Sequence, residues 1–259
     1  MKFAGYACGA LAITLITLTA PGAVAAPDEI QVYTEEMSNP GEFGVELHVN
    51  YALKGAKEAS YEGEKPGHHM LQATPEFTYG VTRTWEAGLY LPMALDPDGN
   101  LYNNGLRLRM KYIAPSEEGT RFFWGLSTEF GYASRRVSES RWGMELRPII
   151  GYRDEDWLLS FNPVVDMDLS NNVSRAPQFD PGLKVTRKVS AGIHAGFEYY
   201  GEYGPLHQIL PADQRSHALY AVMDVEKKNF DVNFGIGHGS SENPDKWVAK
   251  AIIAFPFNL

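Results

Sequence analysis

Phe43-Gly44-Val45-Glu46-Leu47-His48-Val49-Asn50-Tyr51-Ala52-Leu53 is the stretch that decides the fold. Phe43, Val45, Leu47, Val49, Tyr51 and Leu53 are apolar, and Gly44, Glu46, His48, Asn50 and Ala52 alternate with them. Side chains of a β-strand point to opposite faces with a period of two, so one face is greasy and the other wet. A helix would scatter both sets around its axis. The stretch is about ten residues long, roughly what a tilted strand needs to cross the hydrocarbon core of a bilayer.

The same rhythm recurs along the chain. His69 to Val81 alternates, with Pro75 inside it. Trp85, Ala87, Leu89, Leu91 and Met93 oppose Glu86, Gly88 and Tyr90. Leu106, Leu108, Met110 and Tyr112 oppose Arg107, Arg109 and Lys111. Further strands are expected over Arg121–Tyr132, Trp142–Tyr152, Trp157–Leu169, Phe179–Arg187, Val189–Tyr199, His217–Val225, Phe230–Ile236 and Trp247–Phe257. Polar stretches lie between them, including the turn-forming Asp96-Pro97-Asp98-Gly99-Asn100. Pro75, Pro92, Pro148 and Pro163 mark bulges or strand ends, because proline cannot donate to a ladder.

The count is about twelve, and connections alternate between longer loops and tight turns. The expected fold is therefore all-β, an antiparallel transmembrane up-and-down β-barrel of about twelve strands. Loops at one end would face the exterior and turns at the other the periplasm. An open sheet edge in lipid leaves N–H and C=O groups unpaired, at several kcal/mol each. The first strand, Phe43–Leu53, should accordingly pair with the last, Lys246–Phe257. A soluble sandwich would bury the apolar faces, but it explains neither the loop alternation nor the tryptophans. Trp85, Trp124, Trp142, Trp157 and Trp247 all stand on apolar faces near strand starts. That is where an indole, with one wet and one greasy edge, suits an interfacial belt. Trp85, Trp124 and Trp157 would form the periplasmic belt and Trp142 and Trp247 the outer one.

Composition narrows the function. The 259 residues carry a net charge of −9, which offers no basic patch for nucleic acid. Residues 1–25 read as a cleaved signal peptide, with Lys2, an apolar run over Ala10–Leu18 and Ala23-Val24-Ala25 as the cleavage pattern. The single cysteine, Cys8, precedes that apolar run, so a mature chain has neither disulfides nor thiolate chemistry. Residues 26–42, polar and acidic, are expected as a periplasmic lead-in, and residues 43–259 as the barrel.

FGVELHVNY, HHMLQATPEFTYGVTRTWEAGLYLP and NGLRLRMKY, in this order after an acidic lead-in, resemble the outer-membrane barrels named for a meta-pathway of phenol degradation. The resemblance covers most of the mature chain. It implies a transporter-like, porin-like channel of the Gram-negative bacterial outer membrane. The solutes would be small, hydrophobic or aromatic compounds among them. The implied partners are outer-membrane lipid and lipopolysaccharide, the barrel assembly machinery and a small-molecule solute.

Parity places Glu46, His48, Glu76, Arg107, Arg109, Lys111, Glu129, Glu145, Arg147, Asp166, His194 and Glu198 in the lumen. Two readings follow: a packed interior of paired charges, or a narrow pore in which Arg107, Arg109 and Lys111 favour anions. On the second, glutamate at 107 and 109 reverses ion preference. No cofactor and no metal site are expected, since the adjacent His68 and His69 do not make a ligand set. An outer-membrane lipase or deacylase is the alternative, and it would need a Ser/His pair at the outer leaflet. No such spacing is found, so no catalytic residue is named and an enzyme is not expected. A structural or surface-interaction barrel is the third class, weakly supported by loops with few aromatics.

Overall fold

The structure is a computed structural model that describes residues 28–117, 119–240 and 242–257. The residues expected as a signal peptide lie outside the described residues. Twelve antiparallel strands realise the two-residue rhythm. They are β1 (Phe43–Lys54), β2 (Leu71–Gly80), β3 (Trp85–Tyr90 continued by Met93–Leu95) and β4 (Leu101–Asn103 continued by Gly105–Ile113). Next come β5 (Phe122–Ala133), β6 (Trp142–Arg153), β7 (Trp157–Asn162 and Val165–Asp168) and β8 (Gln178–Phe179 and Gly182–Ser190). The last are β9 (Ile193–Glu202), β10 (Ser216–Glu226), β11 (Asp231–Gly239) and β12 (Trp247–Phe257).

Each strand pairs with the next, and β1 pairs with β12 as well as β2. Phe43 lies opposite Phe257 and Asn50 opposite Lys250, with a bulge between Ala52 and Lys54. The barrel is therefore closed, as the edge argument requires. Residues 81–84, 114–121, 154–156, 191–192 and 227–230 join strands at one end. The longer connections, such as 55–70 and 203–215, gather at the other.

The broken strands break for local reasons. Pro92, Pro163 and Pro181 sit at the gaps in β3, β7 and β8. In β4 the gap is Asn104, followed by Gly105 at φ 149°. A Cβ at Gly105 would stand 2.0 Å from the carbonyl oxygen of Tyr132, so only glycine fits. Pro75 and Pro148 interrupt nothing: β2 and β6 run through them. Two details differ from the sequence reading. Strand four begins at Leu101, directly after the 96–100 turn, and the turn between β8 and β9 is Ala191-Gly192, with Gly192 at φ 67°.

The faces sort as the parity dictates. Leu108 is 55% exposed on the outer wall while its neighbour Arg109 is 6% exposed inside. Phe161 is exposed and Asn162 fully buried. All five tryptophans are outward and exposed. Trp85 and Trp124 flank Tyr112 at centroid distances of 5.0 and 5.9 Å, and Trp142 stacks on Phe130 at 5.5 Å. Inside, the wall is not uniformly polar. Ile113, Phe123, Ile149 and Leu158 form an inward apolar patch toward the short-turn end, and Tyr220, Val222 and Val248 form another.

Candidate functional site: the occupied lumen

Those two inner patches need something to cover them, and the chain supplies it. The residues before β1 run inside the barrel. Tyr33 and Met37 pack on the first patch and Ile30 on the second. Ile30, Val32 and Tyr33 are each 3% exposed or less. The segment expected as a periplasmic lead-in thus fills the lumen over residues 28–38. The sequence signal was the apolar Ile30-x-Val32-Tyr33 in an otherwise acidic run. It was too short to register as a strand, and its partners are scattered around the whole barrel.

Its backbone is held by the wall, because a buried peptide group needs a partner. Tyr33 N–H donates to Asn162 Oδ1 at 2.6 Å, and the Tyr33 carbonyl accepts from Ser160 Oγ at 2.5 Å and Asn162 Nδ2 at 3.1 Å. Arg147 donates to the Gln31 carbonyl at 2.9 Å, Lys250 to that of Ile30 at 2.9 Å and Lys111 to that of Glu36 at 2.5 Å. Ser38 N–H donates to Glu86 at 2.5 Å. The Tyr33 hydroxyl donates to Glu129 at 2.9 Å and lies 2.5 Å from the Tyr90 hydroxyl. The guanidinium of Arg147 lies 4.2 Å from the centre of the Tyr33 ring.

All twelve lumen residues named from the sequence point inward, and most meet an opposite charge. Arg109 joins Glu76 at 2.6 Å and Glu86 at 2.7 Å. Arg107 reaches Asp28 at 3.0 Å, Glu29 at 3.2 Å and Glu129 at 3.8 Å. Arg147 grips Glu145 through two nitrogens, at 2.6 and 2.9 Å. Lys184 and Lys250 both pair with Glu198, and Lys184 also with Asp224 at 2.8 Å. His48 lies 3.2 Å from Glu76 and 3.8 Å from Glu46, and His194 lies 3.6 Å from Glu226. Asp166 lines the cavity nearest the long loops. Arg107 and Arg109 of β4 are thus neutralised on the spot by carboxylates from the lumen segment and from β2, β3 and β5, while Lys111 is taken up by a segment carbonyl. Tyr33, Tyr90, Glu29, Glu86, Ser160 and Lys184 were not singled out from the sequence. Parity already turned Glu86 and Tyr90 inward, but nothing marked any of the six as partners of one segment.

The segment divides the interior. On the short-turn side is a chamber of about 550 Å³, lined among others by Glu46, Glu86, Lys111, Arg153, Lys184 and Asp224. Toward the long loops is a cavity of about 290 Å³. Asp28, Glu129, Glu145, Asp166 and Asp168 line it against Arg107 alone, with Pro92 and Val137 as its apolar part.

No family model and no curated protein matches the chain. Solved structures do. An outer membrane channel of the COG4313 group from Pseudomonas putida F1 aligns with TM-score 0.59 at 14% identity, over 88% of this chain and all of that one. The NanC porin aligns with TM-score 0.54 at 10% identity, over 83% of this chain and 100% of that one. The KdgM porin, solved in complex with oligogalacturonate, aligns with TM-score 0.52 at 7% identity, over 83% and 99%. What they share with this chain is a fold. A closed antiparallel barrel with an apolar outer face and a charged interior is a bacterial outer-membrane protein.

Proposed function

We propose that the chain is an outer-membrane channel for small solutes whose passage is set by its own N-terminal segment. The observation that carries this reading is the pair of cavities, one on each side of the ring where Tyr33, Tyr90 and Glu129 meet. A barrel built only for rigidity has no need of chambers on both sides of a constriction. The outer cavity has room for a molecule of one or two rings. Pro92 and Val137 offer apolar contact, and its carboxylates turn away anions. Small neutral or cationic solutes are therefore the class we assign. The likeness in sequence to the phenol meta-pathway barrels supports aromatic compounds within it.

His48 and His194 face carboxylates inside the barrel, away from the outer leaflet. Liposome swelling with matched neutral, cationic and anionic solutes tests the proposal. The full-length protein should admit small neutral and cationic solutes faster than anionic ones. Tyr33→Ala, which removes the ring and hydroxyl at the constriction, should speed all three. Impermeability of both proteins would overturn the reading.

A further inference from the structure

One group inside the barrel plays no part in holding the lumen segment. Glu46 and His48 are two apart on β1 and share its inward face, and Glu76 is the register partner of Glu46 on β2. Two carboxylates directly opposite on neighbouring strands repel unless something positive sits between them. Arg109 takes only one side of Glu76, its Oε1, and is shared with Glu86. The other oxygen, Glu76 Oε2, and Glu46 Oε2 both face His48 Nε2, at 3.2 and 3.8 Å. The three ligand atoms all lie within 4.8 Å of one another. Lys111, the next cation along the wall, is spent on the carbonyl of Glu36.

We propose that Glu46, His48 and Glu76 bind a divalent transition-metal ion, with zinc as the fitting probe. One imidazole nitrogen and two carboxylate oxygens are borderline-hard donors that suit zinc, cobalt and nickel. Bond lengths near 2.0–2.2 Å place neighbouring tetrahedral ligands roughly 3.3 Å apart. The two separations from His48 Nε2, 3.2 and 3.8 Å, already lie close to that value, and the two carboxylate oxygens, within 4.8 Å of each other, draw in on two hydrogen-bonded strands. His48 is wholly buried, yet its Nδ1 has no hydrogen-bond partner. The support for the site is the convergence of both carboxylates on Nε2. Glu46 lines the 550 Å³ chamber, which supplies a route in and leaves coordination positions open. A dication there offsets the two carboxylates, and the metal can be held by Glu76 Oε2 while Oε1 keeps Arg109.

Isothermal titration of the refolded full-length chain with zinc, and the visible spectrum with cobalt, test the site. The loop pair His68 and His69, whose rings lie 3.9 Å apart, is removed first by His68→Ala/His69→Ala. In that background one equivalent of zinc should still bind, and cobalt should give tetrahedral bands. Adding Glu46→Gln, a change of one atom at the chamber wall, should weaken zinc at least tenfold. His48→Asn should abolish binding. Folding of each variant is checked by the heat-dependent gel mobility of the barrel. If His48→Asn does not fold, Glu46→Gln decides alone. No zinc in the His68→Ala/His69→Ala protein, or undiminished zinc in the Glu46→Gln variant, overturns the site. The inference does not depend on conduction, so a barrel that passes no solute leaves it standing.

Discussion

Arg109 shows how a charge inside this barrel differs from a charge in a pore. Its guanidinium holds Glu76 and Glu86 and lies 5.3 and 5.8 Å from the Tyr33 and Tyr90 rings. Removing one partner of a buried pair costs about 3–5 kcal/mol, because the other charge is left uncompensated. Arg109→Gln should lower the unfolding free energy of the barrel, obtained from urea titration followed by tryptophan fluorescence, by an amount of that order. Arg107→Glu/Arg109→Glu, expected from the sequence to reverse ion preference, should instead fail to yield a folded barrel. It would set new carboxylates against Asp28, Glu29, Glu129, Glu76 and Glu86. The inward direction of Arg107 and Arg109 was legible, since parity is a local property. Their partners on residues 28 and 29 were not. Contacts across some eighty residues of sequence leave no periodic trace.

Elements divide in the same way. The strands were legible because a half-wet, half-greasy sheet writes its period into the sequence. The tight turn at 96–100 was legible from its Asp, Pro, Gly and Asn. The structure shows what the first of these does. Asp96 accepts from the Tyr102 hydroxyl at 2.6 Å, from the Asn100 backbone at 2.8 Å and from Asp98 N–H at 3.1 Å. The Tyr102 hydroxyl first, then the Asn100 and Asp98 donors, hold its carboxyl down at about 2. In an unfolded chain an aspartate titrates near 3.9, roughly. The turn therefore contributes its full share of stability above about pH 4 and loses it as pH falls toward 2. Asp96→Asn should flatten the fall in urea midpoint between those pH values, while leaving the rest of the acid response in place. An unchanged slope would mean that the turn is not linked to unfolding. The lumen segment was illegible for the opposite reason. It pairs with side chains rather than with a ladder, so neither a two-residue nor a helical period is imposed on it.

At the scale of the whole molecule the net charge of −9 has a location. The outer wall is apolar, and ionisable side chains crowd the interior and the loops. Inside, the arginines and lysines are bound to carboxylates or to segment carbonyls, so they present little free positive charge to a solute. The carboxylates exceed them. The outer cavity sets five against Arg107, and the chamber sets Glu36, Glu46, Glu86, Glu198, Asp224, Glu226 and Asp231 against Arg109, Lys111, Arg153 and Lys184. Field lines in a narrow, low-dielectric tube are focused, so a modest excess of one sign governs which ion enters. Planar bilayers under a KCl gradient should accordingly give a reversal potential of the sign for potassium preference over chloride. The preference should shrink as salt is raised, because the Debye length falls from about 10 Å at 0.1 M to about 3 Å at 1 M. Asp166→Asn/Asp168→Asn should weaken it without altering the fold, since both residues lie at the cavity wall and neither belongs to the arginine pairs above. Chloride preference in the unmodified protein would show that the paired basic ladder of β4, rather than the acidic surplus, controls entry.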